Sequence, residues 1–380
     1  MKHMRWWVVL TPLVGLLALG VIIGCGGDDE EDPLARIERI FPSSIHGARP
    51  GKATFYSAPD GFATLTHIPI DSLVCTHCHA MKYADGTTVD HETYEPGCRD
   101  CHVDPEAPQA NPVADSVCLG CHGRQGAEQK LFSDVHRSAG MGCMDCHTAE
   151  QMHGDGRQYA TFLATGVPTV TCQKCHSTPA ANAYHSTHLS KVDCSACHVK
   201  SVSSCYNCHF ETEVVLEQKR FFAQTPRTGF KMLLNYNGKV HTGTFQTLSY
   251  EGKSFVALAP FFGHSITKAD ISCGDCHLQN GAGNANLQQY VSSGSITVTE
   301  WDATAQGAAR LVGPTGVIPI PEDWKTVLKF EFLQYTGQAN DPVGADNLPL
   351  WDHLKSTADG SHMPYGQPLS VSQMGKLIDN

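Results

Sequence analysis

The sequence predicts a mainly irregular, short-helical fold with some β-strand in its C-terminal part. Three observations predict it. The short motif Cys-x-x-Cys-His occurs eight times in 380 residues and uses sixteen of the seventeen cysteines. Seven copies lie between Cys75 and His209, which leaves little room for long helices. Aromatic residues make up only 8% of the chain, so side chains alone supply little large apolar surface for a core.

The histidine that follows each cysteine pair decides between several chemistries. A Cys-x-x-Cys pair alone could chelate zinc, form a redox disulfide or attach a haem. In a c-type haem site the two sulfurs bond to the haem vinyl groups, and the next residue, histidine, binds the iron as proximal ligand. A zinc ribbon does not need that histidine, and a disulfide framework does not need a fixed spacing of two. The sequence therefore predicts eight haem c groups, which would also fill the core.

We number the motifs one to eight in chain order. The cysteines predicted to form thioether bonds are Cys75 and Cys78, Cys98 and Cys101, Cys118 and Cys121, Cys143 and Cys146, Cys172 and Cys175, Cys194 and Cys197, Cys205 and Cys208, and Cys273 and Cys276. The predicted proximal ligands are His79, His102, His122, His147, His176, His198, His209 and His277.

Each iron has a second, distal face, for which other histidines are candidate ligands. The strongest candidates lie near a motif: His67, His91, His136, His153, His185, His188 and His264. Three further histidines are weaker candidates: His46, His77 and His241. His353 and His362, remote from any motif, are interpreted as ordinary polar residues. We expect low-potential irons with two histidines each, methionine being the alternative. His185 and His188 would share one side of a helical turn, where each could bind a different haem of the group near Cys172 to His209.

The amino terminus predicts export. Lys2 and Arg5 precede an apolar stretch from Trp6 to Ile23, and small Gly24 precedes Cys25. This end resembles the bacterial lipobox, so we expect residues 1–24 to be a signal peptide and Cys25 to be lipidated; a signal anchor or plain secretion is the alternative. Residues 25–45 contain the acidic stretch "GGDDEEDP" and are predicted to be a flexible tether.

The remaining chain is predicted to divide at residue 210. Residues 46–210 would hold seven haems on short helical turns, joined by loops such as "DPEAPQANPVAD". Residues 211–380 would hold the eighth haem, β-strands and a haem-free C-terminal element. The stretch 244–266 alternates like strands, with Glu251-Gly252 as a hairpin turn, and "SITVTEW" and "VLKFEFLQY" also predict strands. A net charge of −11 argues against a nucleic-acid partner and favours a basic redox partner.

The eight motifs, together with "DVHRSAGMGCMDCH", "EQMHGDG" and "HSTHLSKVDCSACHVKSVSSCYNCHF", resemble the exported multihaem c-type cytochromes of metal- and sulfur-respiring bacteria. The resemblance covers about residues 60–280. It implies electron relay along closely stacked haems between the periplasm and acceptors beyond the outer membrane. Because Gly26, and not aspartate, follows Cys25, we expect an outer-membrane lipoprotein on the periplasmic or cell-surface face. The partners it implies are other redox cytochromes or an outer-membrane porin-cytochrome complex.

Two alternatives come with the resemblance. Octahaem relatives include reductases of nitrite, hydroxylamine or tetrathionate, in which one haem keeps an open or lysine-ligated distal site. This chain lacks the Cys-x-x-Cys-Lys variant of some nitrite reductases, so we expect an electron carrier more than a catalyst. Other relatives polymerise, which implies a possible homo-oligomer or conducting filament.

Overall fold

The computed structural model describes residues 31–50, 56–57, 59, 61–69, 81–90, 93–204, 206–216, 220–222, 227–268, 271–338, 340–341 and 349–379. Several predicted residues lie outside these ranges, and their assignments stay predictions: Cys25 with the signal before it, Cys75, Cys78 and His79 of motif one, Cys205, His77 and His91. The chain divides into two compact units, residues 1–39 and 40–380. In the first unit, Arg39 forms an exposed ion pair with Glu31, with 2.7 Å between nitrogen and oxygen.

The described residues form fourteen α-helices, none longer than nine residues. They are α1 Pro33–Ile40, α2 Ile45–Ala48, α3 Phe62–Thr66, α4 Asp115–Cys121, α5 Gly123–Leu131, α6 Val135–Ser138, α7 Ala149–His153, α8 Ala183–His188, α9 Cys194–His198, α10 Phe210–Leu216, α11 Cys273–Cys276, α12 Ala285–Ser293, α13 Trp324–Val327 and α14 Val371–Ile378. Single 3-10 turns occupy Phe41–Ser43, Cys98–Asp100, Cys143–Asp145, Cys172–Lys174 and Gly307–Arg310. The prediction of short helices is confirmed.

Among the described residues, strands begin after residue 200, and most of them lie in the C-terminal part, as predicted. They are β1 Val202–Ser204, β2 Cys208–His209, β3 Arg220–Phe221, β4 Arg227–Tyr236, β5 Lys239–Tyr250, β6 Lys253–Pro260, β7 Leu278–Gln279, β8 Ala282–Gly283, β9 Ile296–Thr297, β10 Glu300–Trp301, β11 Leu311–Val312, β12 Gly316–Pro319, β13 Leu328–Lys329, β14 Phe332–Tyr335, β15 Trp351–Lys355 and β16 Gly360–His362. The main sheet has eight strands, in the order β1-β4-β5-β2-β3, with β12 on β4, β6 on β5 and β16 on β6.

The centre of this sheet is the hairpin of β5 and β6. The two strands pair antiparallel, with Leu248 opposite Phe255. Glu251 and Gly252 connect them with φ angles of 45° and 72°, the left-handed conformations that a two-residue hairpin turn requires. The predicted hairpin and turn are confirmed, and the stretches "SITVTEW" and "VLKFEFLQY" contain β9, β10, β13 and β14.

Apolar burial is distributed unevenly along the chain. The main sheet packs a large cluster that includes Phe230, Leu234, Phe245, Leu258 and Trp351, all at most 2% exposed. By contrast, no hydrophobic side chain is buried between residues 93 and 195, all of which are described. The stretch that holds motifs two to five therefore has no side-chain core of its own. In the described part of the chain, no helix is long and apolar enough to cross a bilayer.

Candidate haem-binding sites

Six motifs lie on a single helical turn that brings their three functional side chains together. In five of them the backbone N–H of the histidine donates to the backbone carbonyl oxygen of the first cysteine. The N to O distances are 2.8 Å at His102, 2.9 Å at His122, 3.0 Å at His147, 2.8 Å at His176 and 2.8 Å at His277. Motif six forms helix α9. Since positions i, i+3 and i+4 of a helix share one side, both sulfurs and the imidazole face the same way. Covalent haem attachment needs this arrangement.

Local sequence explains why these turns form. In motifs two, four and eight the residue before the second cysteine is aspartate, and its carboxylate accepts from the backbone N–H that precedes the turn. Asp100 accepts from Gly97 at 3.1 Å, and Asp145 accepts from Gly142 at 2.7 Å. In motif six the capping carboxylate precedes the turn instead of lying inside it: Asp193 accepts from the backbone N–H of Ser195 at 2.9 Å. Such bonds satisfy donors that a helix start leaves unpaired.

Each of these six proximal histidines faces one histidine from elsewhere in the chain. The ring centres are 6.0 to 6.4 Å apart in every pair: His46 with His122, His153 with His102, His136 with His176, His264 with His147, His185 with His198, and His188 with His277. We refer to the pairs by the number of their motif, so that site three is His46 with His122.

This spacing fits an iron held between two imidazoles. Two rings that bind one metal from opposite sides at about 2 Å have their centres about 6 to 6.5 Å apart. Ordinary aromatic pairs cover a broader range, about 4.5 to 7 Å, so a single pair would decide little. The six ring-centre distances differ by at most 0.4 Å, and each pair joins a motif histidine to a non-motif one. Such uniformity indicates that all six pairs are built to bind the same kind of group.

At sites six and eight, hydrogen bonds orient all four imidazoles. Nδ1 of His185 lies 2.7 Å from Ala180 O, and Nδ1 of His188 lies 2.9 Å from Tyr184 O. Across the gaps, Nδ1 of His198 and of His277 each lies 2.9 Å from a backbone carbonyl oxygen. A proton held on Nδ1 leaves the lone pair on Nε2, so these rings are in the tautomer that binds iron through Nε2.

Burial keeps several of the paired histidines neutral. It lowers the pKa of His46 to about 4, and the facing His122 adds to the shift. Burial likewise lowers the pKa of His153 and of His264. A neutral imidazole is the form that ligates metals, so these rings need not lose a proton before binding.

Six of the predicted distal candidates thus face a proximal histidine, but the pairing does not follow closeness in sequence. His136 faces His176 and not the nearer His147, which is paired with His264. His185 and His188, one helical turn apart, face proximal histidines of different motifs, and the partner of His188 is His277, outside the group near Cys172 to His209.

Two described candidates lie elsewhere. His67 ends helix α3 in a left-handed conformation, with a φ angle of 59°, and its ring faces none of the described proximal histidines. His241 is buried in strand β5 against the rings of Tyr236 and Phe262, and its Nδ1 lies 2.7 Å from the Thr242 carbonyl oxygen. The Nε2 of His353 lies within hydrogen-bond distance of Glu331 Oε2, and its ring stacks on Trp301, which are contacts of an ordinary polar residue.

The described motif cysteines are in the thiol form, and their sulfurs are the predicted thioether attachment points. Several lie next to a cysteine of another motif. The Cys172 thiol donates toward the Cys194 sulfur and thereby lowers the pKa of Cys194 to about 6. Burial raises the pKa of Cys143 to about 12, to which the neighbouring Cys118 contributes. The attachment points of successive motifs are therefore close together.

The motif cysteines differ in how much of their surface the surrounding side chains cover. Five described ones are exposed: Cys101, Cys121, Cys172, Cys175 and Cys273. Seven more are half-buried: Cys98, Cys118, Cys143, Cys146, Cys194, Cys197 and Cys276. In motif five both cysteines, Cys172 and Cys175, are exposed, because the surrounding stretch buries no hydrophobic side chain that could pack over them. Side chains alone therefore do not enclose this motif. For motif one, the thioether assignment of Cys75 and Cys78 lies outside the described residues and stays a prediction.

Motif seven differs from the others. Cys208 and His209 lie on strand β2, so the expectation of a helical turn is wrong for this motif. Cys208 is buried among aromatic side chains, including Phe62 and Phe210. Among described residues the His209 ring faces no histidine: its Nε2 lies 3.0 Å from Glu211 Oε2, and its ring centre lies 5.5 Å from that of Tyr335. The six-site geometry is thus absent from the described part of motif seven.

Within the described ranges, no three histidine, cysteine or acidic side chains converge in a way that could hold a single metal ion. No family model matches the chain, and no curated protein matches it. Among solved structures, the chain is similar to an octaheme cytochrome c from Shewanella oneidensis. The identity is 16% and the TM-score 0.37, over 60% of this chain and 83% of that one. Because this similarity is weak, the case for haem rests on the chain's own cysteines and histidines.

Proposed function

We propose that the protein carries electrons through eight covalently bound c-type haems, most of them ligated by two histidines. The observation that carries this proposal is the set of six histidine pairs, each with the spacing that one iron requires. When bound, haem supplies a reversible one-electron centre. The residues supply its attachment and two nitrogen ligands, and two histidines leave an iron no free position for a substrate.

The missing core of residues 93–195 supports the same proposal. This stretch buries no hydrophobic side chain, yet it leaves large ones exposed, among them Val103, Leu131, Phe162 and Tyr184. Apolar surface left in water is unfavourable, and a bound macrocycle would cover it. Haem would therefore act here as core as well as cofactor.

Redox kinetics of the purified protein test the proposal. We expect the dithionite-reduced protein to be oxidised rapidly by ferric chelates or by a partner cytochrome, and to be inert toward nitrite, hydroxylamine and tetrathionate. Turnover of one of these substrates at about 1 to 1,000 per second, the ordinary range of enzymes, would replace the carrier by a reductase.

The second candidate function is reduction of such a substrate, and motif seven favours it. Its His209 has, among the described residues, no histidine opposite, and lies instead beside Tyr335 and Trp351. The buried Arg220 is opposite His209 in the β2–β3 pairing, and its guanidinium lies 4.4 Å from the Tyr335 ring centre. Arg220 donates to the Tyr335 hydroxyl at 3.2 Å, and that hydroxyl donates to Asp341 Oδ2 at 2.8 Å. A small oxyanion at this iron would exchange the Asp341 contact for its own bond to the hydroxyl and would lie near the cation. Carbon monoxide binding by the reduced parent would indicate such an open iron.

The proposals for location and partners rest on the sequence alone. We propose an exported lipoprotein, anchored through Cys25 in the outer membrane and exchanging electrons with other cytochromes or with a porin-cytochrome complex. A subunit of a cytochrome filament is the further alternative. Fractionation and the solution mass of the purified protein distinguish these possibilities.

A further inference from the structure

The paired sites are connected to one another by specific contacts. The first connection joins sites two and three. Arg49, which follows the helix that carries His46 of site three, forms a half-buried ion pair with Asp100 inside motif two, at 2.7 Å. On the distal side, Gly154 follows His153 of site two and lies against Ser44, so closely that a Cβ at Gly154 would be 2.7 Å from Ser44 Cβ.

Sites three and four are connected twice. Asp115, at the start of the helix that carries motif three, accepts from the N–H of Cys143 in motif four at 2.9 Å. Glu128, on the helix that follows motif three, is fully buried and accepts from the N–H of His264, the distal histidine of site four, at 2.7 Å.

Sites four and five share one buried carboxylate. Asp134 Oδ1 accepts from the N–H of His136, the distal histidine of site five, at 2.9 Å. Its other oxygen accepts from the N–H of Ile266 at 2.7 Å, two residues after His264 of site four. One side chain thus fixes the distal segments of both sites.

Sites five, six and eight continue the same pattern. Gln173 of motif five donates to the Cys194 sulfur of motif six at 3.7 Å. Helix α8 then presents His185 to site six and His188 to site eight, one turn apart. Sites six and eight are therefore neighbours in space, although motif seven lies between them in sequence.

We propose that six haems stand in one series, in the order two, three, four, five, six, eight, so that sites two and eight are its ends and electrons pass through each site in turn. This rests on the proposed function. Each inner site has a contact with the site before it and a different one with the site after it. The electron donor and the electron acceptor must accordingly contact the haems of sites two and eight, or else haems one and seven. The contacts do not define where haems one and seven stand in the series.

An experimental structure of the purified, haem-loaded full chain tests the order. Among the six irons, we expect each inner iron to have as its two nearest neighbours the irons before and after it in the series. An iron at site four that lies nearer to site six or eight than to site five would overturn the order. Irons that lack two histidines would instead count against the proposed function, so the two failures are distinguishable.

A spectroscopic test needs no structure. His264→Ala should create one high-spin iron at site four, which broadens the low-spin signals of its neighbours only. His46→Ala and His136→Ala identify the signals of sites three and five, and His188→Ala that of site eight. We expect His264→Ala to broaden the signals of sites three and five and to leave the signal of site eight unchanged. Broadening of the site-eight signal with an unchanged site-three signal would contradict the series.

Discussion

At the scale of single residues, the histidine pairs make individual ligand assignments testable. His185 and His188 point at His198 and His277 from one turn of helix α8. Replacing either by alanine removes one distal ligand and leaves the other pair intact. We expect each variant to gain one high-spin signal in the oxidised state and one equivalent of carbon monoxide binding when reduced. The double variant should gain two of each.

The matched control is His353→Ala. His353 is partly exposed and contacts Glu331 and Trp301, and its ring faces none of the described proximal histidines. The His353→Ala variant should have the same EPR spectrum and the same carbon monoxide binding as the parent. A high-spin signal in the control, or none in the two α8 variants, would contradict the assignment of these ligands.

At this scale the sequence predicts which histidines are candidate ligands, but it does not predict how they pair. The motifs identify His102 or His147 as proximal ligands because the spacing itself specifies the chemistry. No local rule connects His136 to His176 across forty residues, or His264 to His147 across more than a hundred. Those pairings depend on where tertiary contacts such as the Asp134 and Glu128 bonds hold the loops.

At the scale of elements, one glycine controls how helix α7 packs on helix α2. Gly154 has a φ of 88°, and a Cβ there would lie 2.7 Å from Ser44 Cβ, far inside van der Waals contact. Gly154→Ala should therefore push apart the segments that carry His153 and His46. We expect weakened distal ligation at sites two and three, seen as new high-spin signals and a lowered melting temperature.

Gly156→Ala measures what a positive φ costs where a Cβ has room. Gly156 has nearly the same φ, 86°, but a Cβ there would lie 3.5 Å from Ile40 Cγ2, an ordinary contact. This variant should lose about 1 to 2 kcal/mol of stability from the left-handed conformation alone, and keep its low-spin spectrum. Equal high-spin signals in both variants would show that packing against Ser44 is not the cause.

The elements also show which structure the sequence could predict. The Glu251-Gly252 turn between alternating residues predicted the β5–β6 hairpin, because turn chemistry and period-two patterning are local signals. Strand β2 was missed, since a Cys-x-x-Cys-His motif favours a helical turn, whereas Cys208 and His209 pair with Leu248 and Ser249 of β5. That pairing is a tertiary preference which the motif does not encode.

At the scale of the whole molecule, the two parts of the chain should respond differently to loss of haem. Residues 93–195 bury no hydrophobic side chain, whereas the sheet packs a cluster around Phe245 and Leu258. In apo-protein from a host without haem attachment, we expect rapid hydrogen exchange over 93–195 and slower exchange in strands β4–β6. Equal protection of both parts would contradict haem as the core of the first.

Anchoring is a second property of the whole molecule. If Cys25 carries two or more acyl chains, the protein should be held stably in the membrane fraction, since a single chain gives only marginal binding. Cys25→Ser should then appear in the soluble or extracellular fraction with unchanged haem content. Full membrane retention of this variant with an uncleaved amino terminus would favour a signal anchor.

The central claim is that six histidine pairs each hold one haem iron. The most direct measurement is a quantitative low-temperature EPR spectrum of the oxidised, fully loaded protein, together with its intact mass. We predict the chain plus eight haems, with at least six irons giving low-spin signals typical of two imidazole ligands. A mass with fewer than six haems, or three or more high-spin irons, would contradict the claim.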